Sequence, residues 1–387
     1  MNIFIELCNF KDHPLGGHLS FAKHLTCAMQ GDLHLVGITT DPSEPIHQWY
    51  TKEIEGSTYT IFNVYRTIKT SKKPLIPTRI SDYYALKKCI HKLDFEKYEN
   101  IIIQTPEVLL ALPKKFLSKV ILIMPGVENP LSISRYKIAR NFQKSYDKLF
   151  FNRAYKVRKI LAAADMQSIK KFIERSNGLI TPQQISQFPT RYDSNIFNIK
   201  DTISLRKQYG FSLDTKILVT TGRLNWFKGW KFMIDSLVVF LQSNPNTILF
   251  FIGDGEDRNK IETYISDLHL SKHVKLIGYQ SLNVIADYLN MANLFIMGSY
   301  KEGWSTSLVE AVACGTPCVV TEFSSATEMV HDNINGYVIM ERSEQLFAKK
   351  MNNALSLPNE NILQAANQIQ NLAVSNMKKE FEKYLQN

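Results

Sequence analysis

Short apolar runs alternate with stretches of helical period through the first half of the chain. Asn2–Leu7, Leu33–Thr39, Tyr59–Val64, Asn100–Gln104 and Lys119–Met124 read as strands, and Leu19–Gln30, Ser81–Lys92 and Tyr136–Phe151 as helices. Strands alternating with helices predict a parallel, doubly wound sheet. From about Gln183 to Asp201 the pattern breaks into Pro189, Asn and Asp, which predicts an interdomain connection. A helix over Asp201–Tyr209 opens the second half. There Lys216–Thr220, Thr247–Ile252, Val274–Ile277, Leu294–Gly298 and Cys318–Thr321 read as strands. Phe232–Ser243, Asp257–Leu268, Leu282–Ala292 and a segment starting at Ser305 or Thr306 read as helices. About six such steps predict a second sheet of the same α/β kind. Met377–Tyr384 is a short amphipathic helix with Phe381 and Tyr384 on one side. The expected domains are 1–190 and 201–370, with 371–387 as a terminal helix.

Composition narrows the class. The 387 residues, 44% hydrophobic and 21% charged, suit two ordinary globular domains. No window approaches the apolar length of a membrane span. Met1–Leu7 lacks the basic and apolar regions of a signal peptide and reads as the first strand. Five scattered cysteines fit a reduced, cytoplasmic chain, and Cys314 and Cys318 lack the second pair that a metal site needs. Residues 1–198 hold 28 Lys+Arg against 17 Asp+Glu, a charge of +11; residues 199–387 hold 18 against 19, a charge of −1. The excess clusters at Lys72–Lys73, Lys87–Lys88, Lys114–Lys119 and Arg153–Lys159. Each cluster alone is an ordinary solvated face. The half as a whole suits peripheral contact with an anionic membrane, and no nucleic-acid-binding signature accompanies it.

The densest chemistry lies at Glu302-Gly-Trp-Ser-Thr-Ser-Leu-Val-Glu310, followed by Ala-Val-Ala-Cys-Gly-Thr-Pro. Ser305 or Thr306 is a good N-cap, Leu308, Val309, Ala311 and Val312 form an apolar stripe, Gly315 suits the C′ position, and Pro317 ends the helix. Glu302 then precedes the helix and Glu310 lies inside it. A helix N-terminus suits phosphate, and carboxylates accept bonds from hydroxyls. A ligand carrying both is a nucleotide sugar. Upstream, Thr221-Gly222-Arg223-Leu224-Asn225-Trp226-Phe227-Lys228-Gly229 follows a strand, where open α/β sheets bind ligands. Gly222 permits close approach, Arg223 supplies a planar fork for phosphate, and Lys228 a point charge. Gly253-Asp254-Gly255 is a tight turn; without a third glycine it is weak evidence for a dinucleotide. Gly278-Tyr279 ends the next strand.

These motifs resemble the signature of the large retaining family of GT-B glycosyltransferases, over roughly residues 215 to 340. The resemblance implies an α/β, GT-B fold: two Rossmann-like parallel-sheet domains facing each other across a cleft, with the terminal helix returning to the first. It implies that Arg223 and Lys228 hold the donor pyrophosphate, Glu302 contacts the donor sugar, and Glu310 binds the ribose; Arg223, Lys228 and Glu302 are the expected catalytic set. Gly222, Gly253, Gly278 and Tyr279 would approach the nucleotide. Trp304 would pack beside the sugar, and the backbone from Gly303 through Ser305, Thr306 and Leu308 would face phosphate. Both glutamates are expected ionised if they accept hydroxyl protons in hydrogen bonds. Pro14-Leu15-Gly16-Gly17-His18 resembles the family's Gly-Gly loop, which places Gly16 and Gly17 at the donor. Two departures stand out. The stretch Ile123–Pro130 carries no histidine where many relatives do, which leaves His18, Glu128 and Asn129 as acceptor-side candidates. Gly298-Ser299 stands where Pro-Ser is common.

The expected activity is transfer of a sugar from a nucleoside diphosphate to an acceptor hydroxyl, with retention. The acceptor would be a lipid-linked saccharide or a surface polysaccharide precursor, at the inner face of the membrane. No Asp-x-Asp is present, so cations and the helix end would replace a metal, and no cofactor is implied. The rival readings are a nucleotide-sugar-binding protein without transfer and a GT-B nucleotide-sugar epimerase, which would need acid/base groups at the sugar.

Overall fold

The structure, a computed structural model, describes residues 1–14, 17–29, 31–68, 77–132 and 137–386. Leu15 and Gly16 of the Gly-Gly loop and the Lys72–Lys73 cluster lie outside them. The chain forms two compact units, Met1–Thr190 with Val374–Asn387, and Arg191–Ala373.

The first unit holds an eight-stranded sheet: β1 (Asn2–Ile5), β2 (Leu33–Thr39), β3 (Trp49–Ile54), β4 (Ser57–Arg66), β5 (Asn100–Ile103), β6 (Val120–Met124), β7 (Lys159–Ala162) and β8 (Ile185–Gln187), in the order β3-β4-β2-β1-β5-β6-β7-β8. All neighbours are parallel except the hairpin β3–β4. Alternate residues feed opposite faces of the sheet. Ile3, Ile5, Ile101 and Ile103 enter one core, and Phe4, Ile102, Ile121 and Ile123 the other. Burial on both faces is why these strands read as unbroken apolar runs.

Three strands of this first sheet escape the sequence pattern. β3 is partly exposed, at the edge, and paired through a tight Glu55-Gly56 turn with positive φ at both positions. β7 follows a run of basic residues that read as a charged surface. Several of those cations are spent inside the unit: Arg153 donates to Leu112 O, Arg158 to Tyr384 O, and Lys159 to Gln183 O. β8 lies within the stretch expected to connect the domains, so the sheet runs on to Gln187.

The second unit holds six parallel strands, β9 (Lys216–Thr221), β10 (Thr247–Ile252), β11 (Val274–Gly278), β12 (Leu294–Met297), β13 (Cys318–Thr321) and β14 (Gly336–Ile339), ordered β11-β10-β9-β12-β13-β14. Leu218, Leu249, Phe251, Leu294, Ile296 and Val319 anchor a core beneath the helices Trp230–Leu241 and Glu344–Ala354. β14 is four residues long and opens on Gly336, too weak a pattern to read as a strand.

In each sheet the chain first builds outward from the initial strand and then crosses to its other side. The switch points fall between β1 and β5 and between β9 and β12. Such points leave a crevice at the carboxyl ends of the strands.

The last helix, Met377–Leu385, packs on the first unit. Met377 and Phe381 are fully buried among Leu19, Phe21 and Phe188, and Phe381 meets Phe188 edge-on with ring centroids 5.9 Å apart. Phe381→Ala should cost about 3–5 kcal/mol, read as a lower urea midpoint for the first unit's transition; an unchanged midpoint would contradict this packing.

Candidate active site

The second switch point assembles the charged residues. β9 ends at Thr221 and Gly222 turns the chain with φ +130°. Gly222 N–H donates to Ile252 O at 2.9 Å, which ties this turn to the end of β10. Gly253, at φ +140°, lies against it so closely that a Cβ would run into Gly222 O. Gly253 N–H in turn donates to Gly278 O at 2.9 Å. Three glycines thus stack the carboxyl ends of β9, β10 and β11 into one floor.

Asn225, 1% exposed, caps the short 3-10 turn Trp226–Lys228 by accepting from Lys228 N–H at 3.2 Å. Gly229 then adopts a left-handed φ of +70° and packs on Gly298, where any Cβ would strike Gly298 O. This turn folds Lys228 back over Gly222. A Cβ built on Gly222 would sit 3.8 Å from Lys228 Nζ and 3.9 Å from Ser307 Oγ.

The opposite wall follows β12. Ser299 is fully buried and its hydroxyl donates to Glu302 Oε1 at 2.7 Å. Lys228 Nζ donates to the same oxygen at 2.6 Å. Arg342 pins this loop by donating to Gly298 O at 2.8 Å and Ser299 O at 2.6 Å, with its guanidinium 3.6 Å from the Tyr300 ring centre. Gly298 in place of a bulkier residue is explained by packing, since Gly229 O and Met233 close on it.

Beyond Glu302 the helix Thr306–Ala313 begins. Ser305 is its N-cap and accepts from Leu308 N–H at 3.4 Å, while Ser305 N–H donates to Ser325 Oγ at 3.1 Å. Ser305 and Leu308, expected to face phosphate, are therefore used in building the turn. Among the described residues the N–H groups of Thr306 and Ser307 have no intramolecular acceptor, and Ser307 Oγ donates to Thr221 O at 3.3 Å. Two peptide donors at the positive end of a helix thus stand on the same side as Lys228. A hollow lined by Thr221, Gly222, Arg223, Asn225 and Lys228 opens here.

Glu310 sits one turn beyond Ser307. Its carboxyl has no hydrogen-bond or ion-pair partner among the described residues, and although part of its surface is accessible, burial pushes it from 4.5 up to about 8. The protonated form is therefore favoured at neutral pH, because no cation or donor offsets the desolvation; the expected ionised form is tied to bonds from ligand hydroxyls.

The remaining expected residues have different settings. Arg223 and Tyr279 are exposed, Tyr279 at 73%, whereas Trp304 is 6% exposed and part of the interior. In the first unit Gly17 opens the helix Gly17–Met29 and His18 follows in its first turn. Glu128 is exposed. Asn129 is 4% exposed and closes its own loop, donating to Gln143 O and Asp147 Oδ1 and accepting from Leu131 N–H, so both of its amide donors are committed. Sequence reasoning gave no role to Ser299, Asn225, Arg342 or the Ser307 hydroxyl. The Asn225-x-x-Lys228 spacing carries a capping signal; Arg342, distant in sequence, carries none.

Comparison with known proteins agrees with this geometry. Residues 201–371, most of the second unit, match the family model described as Glycosyl transferases group 1. N-acetyl-alpha-D-glucosaminyl L-malate synthase of Bacillus anthracis is 28% identical over 169 residues, 43% of this chain and 43% of the relative. UDP-Gal:alpha-D-GlcNAc-diphosphoundecaprenol alpha-1,3-galactosyltransferase of Escherichia coli is 26% identical over 165 residues, 41% of this chain and 42% of the relative. The chain thus matches about two fifths of the length of these curated relatives. Sucrose-phosphate synthase from Thermosynechococcus elongatus superposes with a TM-score of 0.75 at 16% identity, covering 99% of this chain and 98% of that one. HepE of Anabaena, solved with UDP-glucose, superposes at 0.70 with 16% identity, over 99% and 98%. At such identities the likeness is one of fold, and the fold is GT-B.

The Glu310 proton has a measurable consequence. Between pH 4.5 and 8 the folded state keeps a proton that the unfolded chain releases, so this group makes stability fall as pH rises through that window. The stability of Glu310→Gln relative to wild type should therefore grow from pH 5 to pH 8, by roughly 2–3 kcal/mol after discounting for partial exposure. Urea titrations at both pH values test this; a constant difference would contradict it.

Proposed function

We propose that the chain is a glycosyltransferase that moves a sugar from a nucleoside diphosphate to an acceptor hydroxyl, with retention and without a metal. The observation that carries this reading is the Lys228–Glu302 pair, with Nζ and Oε1 2.6 Å apart at the switch point of the second sheet. An ammonium has three donors. One is spent on Glu302, which fixes the direction of the side chain, and the others remain for the diphosphate. The Thr306 and Ser307 N–H groups and the Arg223 guanidinium supply further positive potential.

Cleavage of the bond between the anomeric carbon and the phosphate oxygen leaves its electron pair, and thus new negative charge, on the diphosphate. Fixed cations and peptide dipoles aimed there stabilise the charge as it develops. The acceptor oxygen attacks the anomeric carbon on the face the diphosphate leaves. Its proton passes to the departing phosphate oxygen, so no protein nucleophile is required. Glu310, desolvated and without a partner, is completed by ribose hydroxyls, and Glu302 presents its remaining lone pairs to the donor sugar.

The acceptor in this reading is a lipid-linked saccharide or surface polysaccharide precursor at the cytosolic face of a membrane. Among the described residues no helix is long and apolar enough to cross a membrane. Peripheral contact is supported by the helix Thr78–Cys89, where exposed Ile80 and Tyr84 share one face with exposed Lys87 and Lys88.

Thermal-shift screening of UDP-, GDP- and ADP-sugars should identify a stabilising donor. Arg223→Ala and Lys228→Ala should then lower turnover about 100-fold or more with smaller losses in donor affinity, while Glu310→Ala should chiefly weaken nucleotide binding. Equal losses of affinity and turnover in all three variants would contradict these roles. Binding with no transfer or hydrolysis would favour a binding protein, and conversion of the donor to its epimer would favour an epimerase.

A further inference from the structure

The first sheet has a switch point of its own, and it carries chemistry that donor binding leaves unused. Glu6 continues β1 and is 5% exposed; Gln104 and Thr105 follow β5 and are 1% and 8% exposed. All three come from the two strands that flank the crossover, at their carboxyl ends, where a ligand crevice is expected. Each carries a buried polar atom with no hydrogen-bond partner among the described residues: Glu6 Oε2, Gln104 Oε1 and Thr105 Oγ1. Gln104 donates through Nε2 to His18 O at 3.2 Å, which sets its amide beside His18. His18 Nδ1 lies 3.9 Å from Glu6 Oε1 and is itself buried without a hydrogen-bond partner among the described residues. The rest of the His18 side chain is 41% accessible, so the crevice opens to solvent there.

Unpaired buried polar atoms are costly, and their coincidence at one ligand-binding edge is not a packing accident of a single residue. The set is rich in acceptors. Glu6 and Glu107 are carboxyls, and Gln104 offers its carbonyl oxygen. Asp82, held by Tyr65 OH at 2.7 Å, adds a third carboxyl nearby. Arg79, 4.0 Å from Glu107 Oε1, is the cation that acts on Glu6, His18, Asp82 and Glu107 alike. Arg79 is the one cation among these groups and is already engaged by Glu107, so few donors remain to hold an anion. Burial drives Glu6 above the usual carboxylate range and His18 down to about 4, so the imidazole is neutral and does not alter this balance.

We propose that the crevice between β1 and β5 is a binding site for an uncharged or amine-bearing sugar, whose hydroxyl or ammonium donors are taken by Glu6, Gln104 and Thr105, and that it rejects phosphorylated and carboxylated acceptors. Building on the transferase reading, the inference names the class of acceptor sugar, with Glu6 as its specificity-determining residue. The overall positive charge of the first half is misleading here: its ligand-binding edge is lined by carboxyl and amide groups and not by lysines.

Saturation-transfer NMR on the full chain tests this with octyl β-D-glucopyranoside and D-glucosamine against glucose 6-phosphate and L-malate. The neutral and amine-bearing probes should bind and the anionic ones should not. Glu6→Gln should weaken the bound probe about tenfold; should that variant fail to fold, Thr105→Val, which removes a single hydroxyl, should weaken it about threefold. Tighter binding of the anions, binding of none of the four, or probe binding unchanged in the folded variant would overturn the proposal. UDP titration of the wild-type chain in parallel separates the outcomes: sugar selectivity without nucleotide binding leaves this site standing and sinks the transferase reading.

Discussion

The ion pair between Lys228 and Glu302 depends on two chain segments meeting without side chains between them. Gly229 on Gly298 and Gly253 on Gly222 are contacts of backbone on backbone. Any Cβ at Gly229 would push the Trp226–Lys228 turn off the loop after β12, and the ammonium would lose Glu302. A lysine held this way has lost its rotamer freedom in advance, so little of that entropy remains to be lost when charge develops on a ligand. The surrounding bonds serve the same end: Asn225 caps the turn, Ser299 shares the Glu302 oxygen, and Arg342 ties down the loop that carries both.

The two glutamates of the signature have opposite electrostatic situations. Glu302 has a cation and a hydroxyl donor, whereas Glu310 has neither and is pushed up to about 8. One carboxylate is therefore preorganised and the other is left for a ligand to complete. A site with an unsatisfied carboxyl is less stable empty than filled, which couples occupancy to stability. The crevice of the first sheet repeats this theme with Glu6 and Gln104. Both halves leave acceptor atoms unmatched at the point where the sheet reverses its order of construction.

The fold was largely legible because parallel strands covered on both faces are runs of apolar residues bounded by turns. The strands that escaped are the edge strands β3, β8 and β14, where one side lacks a neighbour and the apolar signal thins, and β7, whose flanking Arg153 and Arg158 donate to carbonyls within the unit. At the site, the glycines, Lys228 and the glutamates stand in local motifs and could be read. Arg342 could not, because it acts across 43 residues on Ser299 O. The protonation of Glu310 could not either, since residue identity does not reveal the apolar atoms that surround it.

Diffraction from crystals soaked with the stabilising nucleoside diphosphate tests the central claim most directly. The diphosphate should lie over Gly222 within hydrogen-bond distance of Lys228 Nζ and the Thr306 and Ser307 N–H groups, with ribose hydroxyls on Glu310. A nucleotide bound elsewhere, or Lys228 bonded to Glu302 alone with no phosphate in reach, would contradict it.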